Sequence, residues 1–280
     1  MSESVLHSVH VHPVKSLAGS APGEAVVEPW GLAGDRRWAL VDASATVVTQ
    51  RRHPLLAMAC AEPLPDGGIR LTAPGRDPLT VDVPEPRGTM IMDIFGDKVE
   101  AVAAGGPVDA WFSAYLGTEV RLVHLDDPAV RRPMDPVYGR DGQTVHFGDS
   151  SPLLLTTLTS LDALNSLIAQ GDHADEGPLP MTRFRPNAVV AGTAPWAEDG
   201  WRRIAIGEVV FRVIKPCGRC VITTTDQRTA ERGKEPLRTL ARHRRIGDRL
   251  AFGQYLIPER TGRIRRGDAV TVLEGEPAAP

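Results

Sequence analysis

The segment Cys217-Gly218-Arg219-Cys220 is the part of this chain best equipped for chemistry, and it holds two of only three cysteines in 280 residues. A Cys-x-x-Cys pair supports four readings. Zinc needs four ligands, usually two such pairs or one pair plus histidines; there is no second pair, and the nearest downstream histidine, His243, stands alone. A dithiol redox pair wants its first cysteine at a helix N-terminus, where the dipole lowers the thiol pKa. Here Val221-Ile-Thr-Thr-Thr225 follows, which has the composition of a strand. The third reading is a single thiolate beside a strand, serving as a soft ligand for a transition metal carried in a cofactor. The fourth is a pair of packed structural cysteines, which is the plainest for the motif taken alone. All four stay open at this point.

The neighbouring residues weight the choice toward an anionic ligand. Arg219 lies inside the motif and Lys215 just before it. Thr182-Arg-Phe-Arg-Pro-Asn187 adds Arg183, Arg185 and Asn187 ahead of an apolar run, Lys15 and Ser16 end the first strand, and Gly34-Asp-Arg-Arg-Trp38 supplies Arg36 and Arg37. An arginine beside an apolar strand needs an anionic partner, and phosphate suits its fork. Each taken singly is an ordinary surface charge. Asp226 reads first as a turn cap and second as an acid near a metal. His7, His10 and His12 cluster, but His10 and His12 are expected on an outward strand face. No Gly-x-Gly-x-x-Gly or Gly-x4-Gly-Lys-Ser/Thr stretch points to a nicotinamide or ATP site.

The elements that must position these residues are mostly strands. Hydrophobic residues make up 42% and charged residues 24%, as in a soluble globular chain. The net charge is 32 − 35 = −3, and aromatics are only 5%, so neither nucleic acid nor an anionic membrane is an expected partner. No apolar run reaches the ~20 residues of a membrane span, and the first residues lack a signal-peptide pattern, so a cytoplasmic location is expected. With 24 Pro and 27 Gly, elements should be short.

Val5, His7, Val9 and Val11 alternate as one strand face. Strands are also expected at 37–44, 46–51, 69–73, 79–83, 120–125, 151–157, 187–192, 201–207, 208–215, 221–225, 253–258 and 268–275. A hairpin is expected over 90–104 with its turn at Gly96-Asp97. Helices are expected over 107–117, capped by Asp109 and ended by Gly117; over 160–171, from Ser160 to Gly171; and over 235–244, with Pro near its start. The polar, Pro-rich stretch 126–143 is long enough to be functional or a boundary. The expected architecture is mainly β with a few helices (α+β), divided into 1–125 and 126–280.

Several linked motifs then carry a resemblance over nearly the whole chain. Pro216-Cys-Gly-Arg-Cys-Val-Ile-Thr-Thr-Thr-Asp226, Lys234–Arg244 and Phe252–Asp268 resemble the MOSC domain, the C-terminal domain of molybdenum cofactor sulfurases. Val11–Gly19, Gly31–Asp42 and Thr49–Ala59 resemble the MOSC N-terminal β-barrel domain. The pattern is similar to the mitochondrial amidoxime-reducing components and their bacterial counterparts. The resemblance implies molybdenum held by a molybdopterin-type pterin cofactor between two β-barrel domains, with the second cysteine of the motif, Cys220, as the metal ligand and catalytic residue. It assigns cofactor binding to Lys15, Ser16, Arg36, Asp149, Ser150, Ser151, Arg185, Asn187, Gly218, Arg219 and Tyr255. Ser150 stands where the family has Thr, and Gly218, often Ser, offers only backbone.

The implied activity is a molybdenum-dependent oxidoreductase that reduces N-hydroxylated compounds such as amidoximes and N-hydroxylated bases. Mammalian relatives carry a membrane anchor and some bacterial ones an iron–sulfur domain. Neither is recognised here, so electrons are expected from a separate ferredoxin, flavodoxin or cytochrome-type protein. The alternative is a carrier of the cofactor or of sulfur on Cys220. The sulfurase link brings a family-level association with pyridoxal phosphate, but no lysine for that cofactor is identifiable.

Overall fold

The structure is a computed structural model describing residues 3–276. Eight strands form the largest sheet, in the order Val5–Val9, Ala188–Ala191, Leu153–Thr157, Arg249–Arg260, Val209–Gly218, Trp201–Ile206, Val270–Gly275, with Arg245–Ile246 paired beside Arg249–Arg260. Its two edges meet, because Val5 bridges Ala269 and Leu6 N donates to Asp268 O at 2.8 Å. The sheet therefore closes on itself around Leu6, Val9, Leu155, Ile204, Phe211 and Leu256, all fully buried. A second sheet of five strands, Val47–Val48, Trp38–Val41, Arg121–His124, Asp97–Ala103 and Thr89–Ile94, also curls until Thr46 bridges Asp93.

The chain's own crossing between these sheets makes the site. It leaves the large sheet at Val9 and joins the second one at Val14, which bridges Trp38, while Lys15 N donates to Trp38 O at 2.8 Å. Lys15 and Ser16 thus sit where the two sheets meet. The strand Glu24–Glu28 turns back to pair with Gly262–Arg265. Neither of these strands stands out in the sequence, since both are short and rich in charge or glycine.

The fold is mainly β with three α-helices, Gly106–Leu116, Leu158–Ala169 and Leu237–His243. Several local expectations are corrected. Val221–Thr224 is a 3-10 turn, not a strand. Thr223 Oγ1 and Thr224 Oγ1 donate to Cys220 O and Val221 O, each at 2.9 Å, and this back-bonding competes with a strand ladder. Cys220 is therefore the residue that opens a turn, two positions beyond the strand end at Gly218.

In the first strand the register shifts between Leu6 and Ser8, so Leu6 and Val9 face the core and His7 is exposed. His12 is buried, not outward, with Nε2 at 3.2 Å from Pro186 O, and burial lowers its pKa. The hairpin turns at Phe95-Gly96, both with positive φ, rather than at Gly96-Asp97. Asp109 does not cap its helix; its Oδ1 accepts from Leu122 N at 2.8 Å. Thr157, not Ser160, caps the second helix, accepting from Ser160 N. Among the described residues, no helix is long and apolar enough to cross a membrane.

Candidate functional site

A cavity of about 90 Å³ lies where the sheet crossing, the 148–154 segment, the 183–187 segment and the Cys-x-x-Cys loop converge. It is lined by Lys15, Ser16, Arg36, Asp149, Ser151, Arg185, Asn187, Gly218, Arg219, Cys220 and Tyr255, together with Cys217, Arg183 and apolar neighbours. Of the residues singled out in the sequence, Ser150 does not line it; its hydroxyl lies 3.4 Å from that of Ser151. Lys215 lies away from it, its Nζ over the Tyr138 ring at 3.6 Å. Arg37 turns to the carbonyls of Leu125 and Asp126. Asp226 is a turn acceptor for Arg228 N at 2.8 Å and pairs with Arg183 at 2.7 Å.

Two groups of side chains shape the cavity. In the first, Lys15 is 4% exposed, and its Nζ donates to Asp149 Oδ1 at 2.5 Å. Burial pulls the Lys15 ammonium down to about 8 against the pull of Asp149. Burial alone would raise the Asp149 carboxyl, but Lys15 and Arg51 together hold it well below the usual range. Asp149 keeps 43% of its side-chain surface open, so solvent screens these pairs. In the second group, the fully buried Asp35 pairs with Arg36 and with His146 Nε2 at 3.2 Å, and accepts from His12 N at 2.7 Å.

Arg36 then donates to Asn187 Oδ1 at 3.0 Å and to Arg185 O at 3.1 Å. Asn187 also accepts from Leu154 N at 3.1 Å and gives its Nδ2–H to His10 O at 3.2 Å. It is thus a clasp between the two sheets' connections. Arg36 and Arg185 both hold positive φ, as does Ser16. Three non-glycine residues in the left-handed region around one cavity mark a backbone bent to aim side chains rather than to relax.

Two guanidinium nitrogens of cavity-lining residues, Arg185 Nη2 and Arg219 Nη2, are buried with no hydrogen-bond partner among the described residues. One other nitrogen of each head is tied down: Arg185 Nη1 donates to Leu17 O, and Arg219 Nε to Phe252 O at 2.9 Å, with the Arg219 head over the rings of Phe184 and Phe252. A buried donor left unmade costs about 1–3 kcal/mol, so two such donors at one void fit a bound anion. Cys217 is fully buried against the Tyr255 hydroxyl, and burial raises both their pKa values. Cys220 is half-buried and is the more open of the two thiols. Among the described residues no three His, Cys, Asp or Glu side chains gather to hold a metal. A metal at Cys220 would take most of its ligands from a cofactor, and the donor set fits a pterin with an anionic group.

Two functional residues escaped sequence reasoning. Arg51 donates to Asp149 Oδ2 at 2.9 Å. Burial lowers its pKa, but Asp149 and the adjacent Cys220 thiol more than offset this. Its neighbour Arg52 points outward, with 72% of its side chain exposed. Arg132 is buried and donates to the carbonyls of His146 and Gly148 at 2.9 and 2.6 Å and to Asp149 O at 3.3 Å, fixing the loop that presents Asp149. The only signal for Arg132 was the unusual length of its loop.

Residues 3–119 match the MOSC N-terminal β-barrel domain, and residues 142–271 match the MOSC domain. The chain is 31% identical to mitochondrial amidoxime-reducing component 1 of Mus musculus, over 94% of this chain and 80% of the relative. It is 29% identical to the Xenopus laevis protein of the same name, over 95% of this chain and 81% of that one. It is also 32% identical to molybdenum cofactor sulfurase of Danio rerio, over 91% of this chain but only 32% of the relative. The chain belongs to the MOSC-domain family with an N-terminal MOSC β-barrel domain, alongside the amidoxime-reducing components.

Proposed function

We propose that this protein holds a molybdopterin-type cofactor and reduces N-hydroxylated compounds, with electrons from a separate donor protein. The observation that carries the reading is the meeting of one open thiol, Cys220, with two unpartnered buried guanidinium donors at a single cavity. When bound, the cofactor supplies the two-electron chemistry that takes oxygen from an N–OH group and leaves the amine or amidine and water. Cys220 gives the metal a soft thiolate donor. Arg185 and Arg219 would offer their unpartnered N–H donors to the cofactor's phosphate. Lys15 keeps its proton at Nζ at neutral pH, while Asp149 stays ionised between Lys15 and Arg51. Arg36 and Asn187 hold the backbone of the 185–187 segment in place. The one-turn 3-10 helix after Cys220 keeps that residue on a short, hydroxyl-braced loop.

A second reading, a carrier of the cofactor or of sulfur on Cys220, draws support from the likeness to the sulfurase C-terminal region. One experiment separates the two. Purified protein is assayed for molybdenum and released pterin, then mixed with a reduced viologen dye and a model amidoxime. The reductase reading expects stoichiometric metal and steady amine formation. Metal without turnover would favour the carrier, and neither metal nor pterin would sink both.

A further inference from the structure

We propose that Phe95, beside the cavity-lining Lys15, forms an aryl-stacking subsite that selects planar, conjugated N-hydroxylated substrates over small aliphatic ones. This rests on the reductase reading and adds a substrate class to it. Phe95 occupies the tip of the hairpin formed by Thr89–Ile94 and Asp97–Ala103, in the sheet that does not carry Cys220.

Three observations single it out. First, the residue is 50% exposed, which is unusual for phenylalanine. Second, its φ is 59° and that of Gly96 is 98°, a turn with both central residues left-handed. Such turns favour Asn-Gly, and a bulky residue at the first position is strained. Hairpin stability therefore does not account for a phenylalanine here, and strain that persists is more often found where a side chain must be aimed. Third, the ring is held to the site. Lys15 Nζ lies 4.9 Å and Arg51 Cζ 4.8 Å from its centroid. These are the two cations that grip Asp149, and Arg51 is also the neighbour of Cys220.

The hairpin itself is pinned. Asp97 pairs with Arg132 at 3.0 Å, and Arg132 holds the backbone of the Asp149 loop. One side chain, Arg51, thus separates the ring from the thiol, while the residue as a whole stays half exposed. Two cations over an aromatic ring draw on its electron density, which suits stacking against an electron-rich, neutral plane such as an aryl amidoxime.

The test uses the cofactor-loaded protein and two neutral probes, benzamidoxime and acetamidoxime, in calorimetric binding without reductant and in turnover with a reduced viologen. Phe95→Asn places the favoured Asn-Gly pair in the turn, so it folds at least as well as the parent. It is expected to keep its molybdenum, to bind benzamidoxime about fivefold more weakly, and to bind acetamidoxime within about twofold of the parent. Phe95→Trp retains the preference for benzamidoxime. Equal weakening toward both probes, no change toward either, or loss of molybdenum in Phe95→Asn would overturn the subsite. Discrimination in binding without turnover in the parent would sink the reductase reading and leave the subsite standing; turnover without discrimination would do the reverse.

Discussion

Two of the places where this molecule buries ionisable groups behave differently. Around the cavity, Lys15, Arg36 and Arg185 are drawn in beside Asp35 and Asp149, and two guanidinium nitrogens of its lining residues have no partner among the described residues. Beside the helix Leu158–Ala169, Glu198 is fully buried with no counter-cation of its own. Its Oε2 accepts from Ser160 Oγ at 2.9 Å and Thr157 Oγ1 at 3.2 Å, and burial raises its pKa to about 7. The neighbouring Asp199 takes the cations instead, pairing with Arg244 and accepting from Gln254 Nε2 at 2.8 Å. Both places carry shifted pKa values. Only the first combines them with a void, an open thiol and convergence of segments from distant parts of the sequence. Glu198 Oε1, like the two guanidinium nitrogens, lacks a partner among the described residues, so a shifted buried group is a sign of function only where it borders a void on which other reactive groups converge.

The comparison can be broken first at Glu198. Its folded pKa, about 7, exceeds the unfolded value of 4.5, so its contribution to stability is complete below 4.5 and is lost as pH rises through 7. Glu198→Gln should flatten that dependence, gaining on the order of 3 kcal/mol on the parent between pH 4 and pH 8, with molybdenum content unchanged. Urea melts at several pH values measure this. A variant that lost its cofactor with the same melt would erase the contrast between the two regions.

The converse changes are Lys15→Ala and Arg185→Ala. Each removes a charge-assisted bond to the proposed anion, so cofactor affinity should fall about ten- to a hundredfold. The fold should persist, since neither side chain fills the apolar core. Metal analysis after gel filtration tests this, and undiminished molybdenum in both would mean that the cavity is not the cofactor pocket.

A smaller effect should come from pH alone. Lys15 titrates near 8, below its ordinary 10.5, mainly because it is buried. Its charge serves the anion only below that pKa, and a bound anion raises the pKa further. Cofactor retention should therefore be flat through neutral pH and weaken somewhat above 8, and Lys15→Ala should lose this dependence. Dialysis at stepped pH with assay of the released pterin gives the profile.

The contrast also explains what could be read from sequence. Cys220, Arg36, Arg185 and Asn187 were expected from the family resemblance of the short segments that hold them, not from residue type alone, and the structure brings all four to one cavity. Arg51 was not, because Arg52 beside it is chemically identical and only the turn at Thr49–His53 decides which one faces Cys220. Arg132 was hidden in a loop without periodicity. The run Val221–Thr225 has strand composition, yet its threonines bond back to carbonyls three residues earlier, a competition that propensity does not register. Likewise, one irregularity at His7 moved the buried face of the first strand. The pairing of Val5–Val9 with Ala188–Ala191 joins residues far apart in sequence, and no local pattern announces it.

The central claim is that Cys220 alone among the cysteines holds the metal. X-ray absorption at the molybdenum edge tests it most directly, on the parent, Cys220→Ser and Cys217→Ser. The account predicts that sulfur coordination falls by one in Cys220→Ser, with activity lost because an alcohol is a poor soft donor, and stays constant in Cys217→Ser. Equal loss in both variants, as a two-thiol site would give, or no change in either, would contradict it.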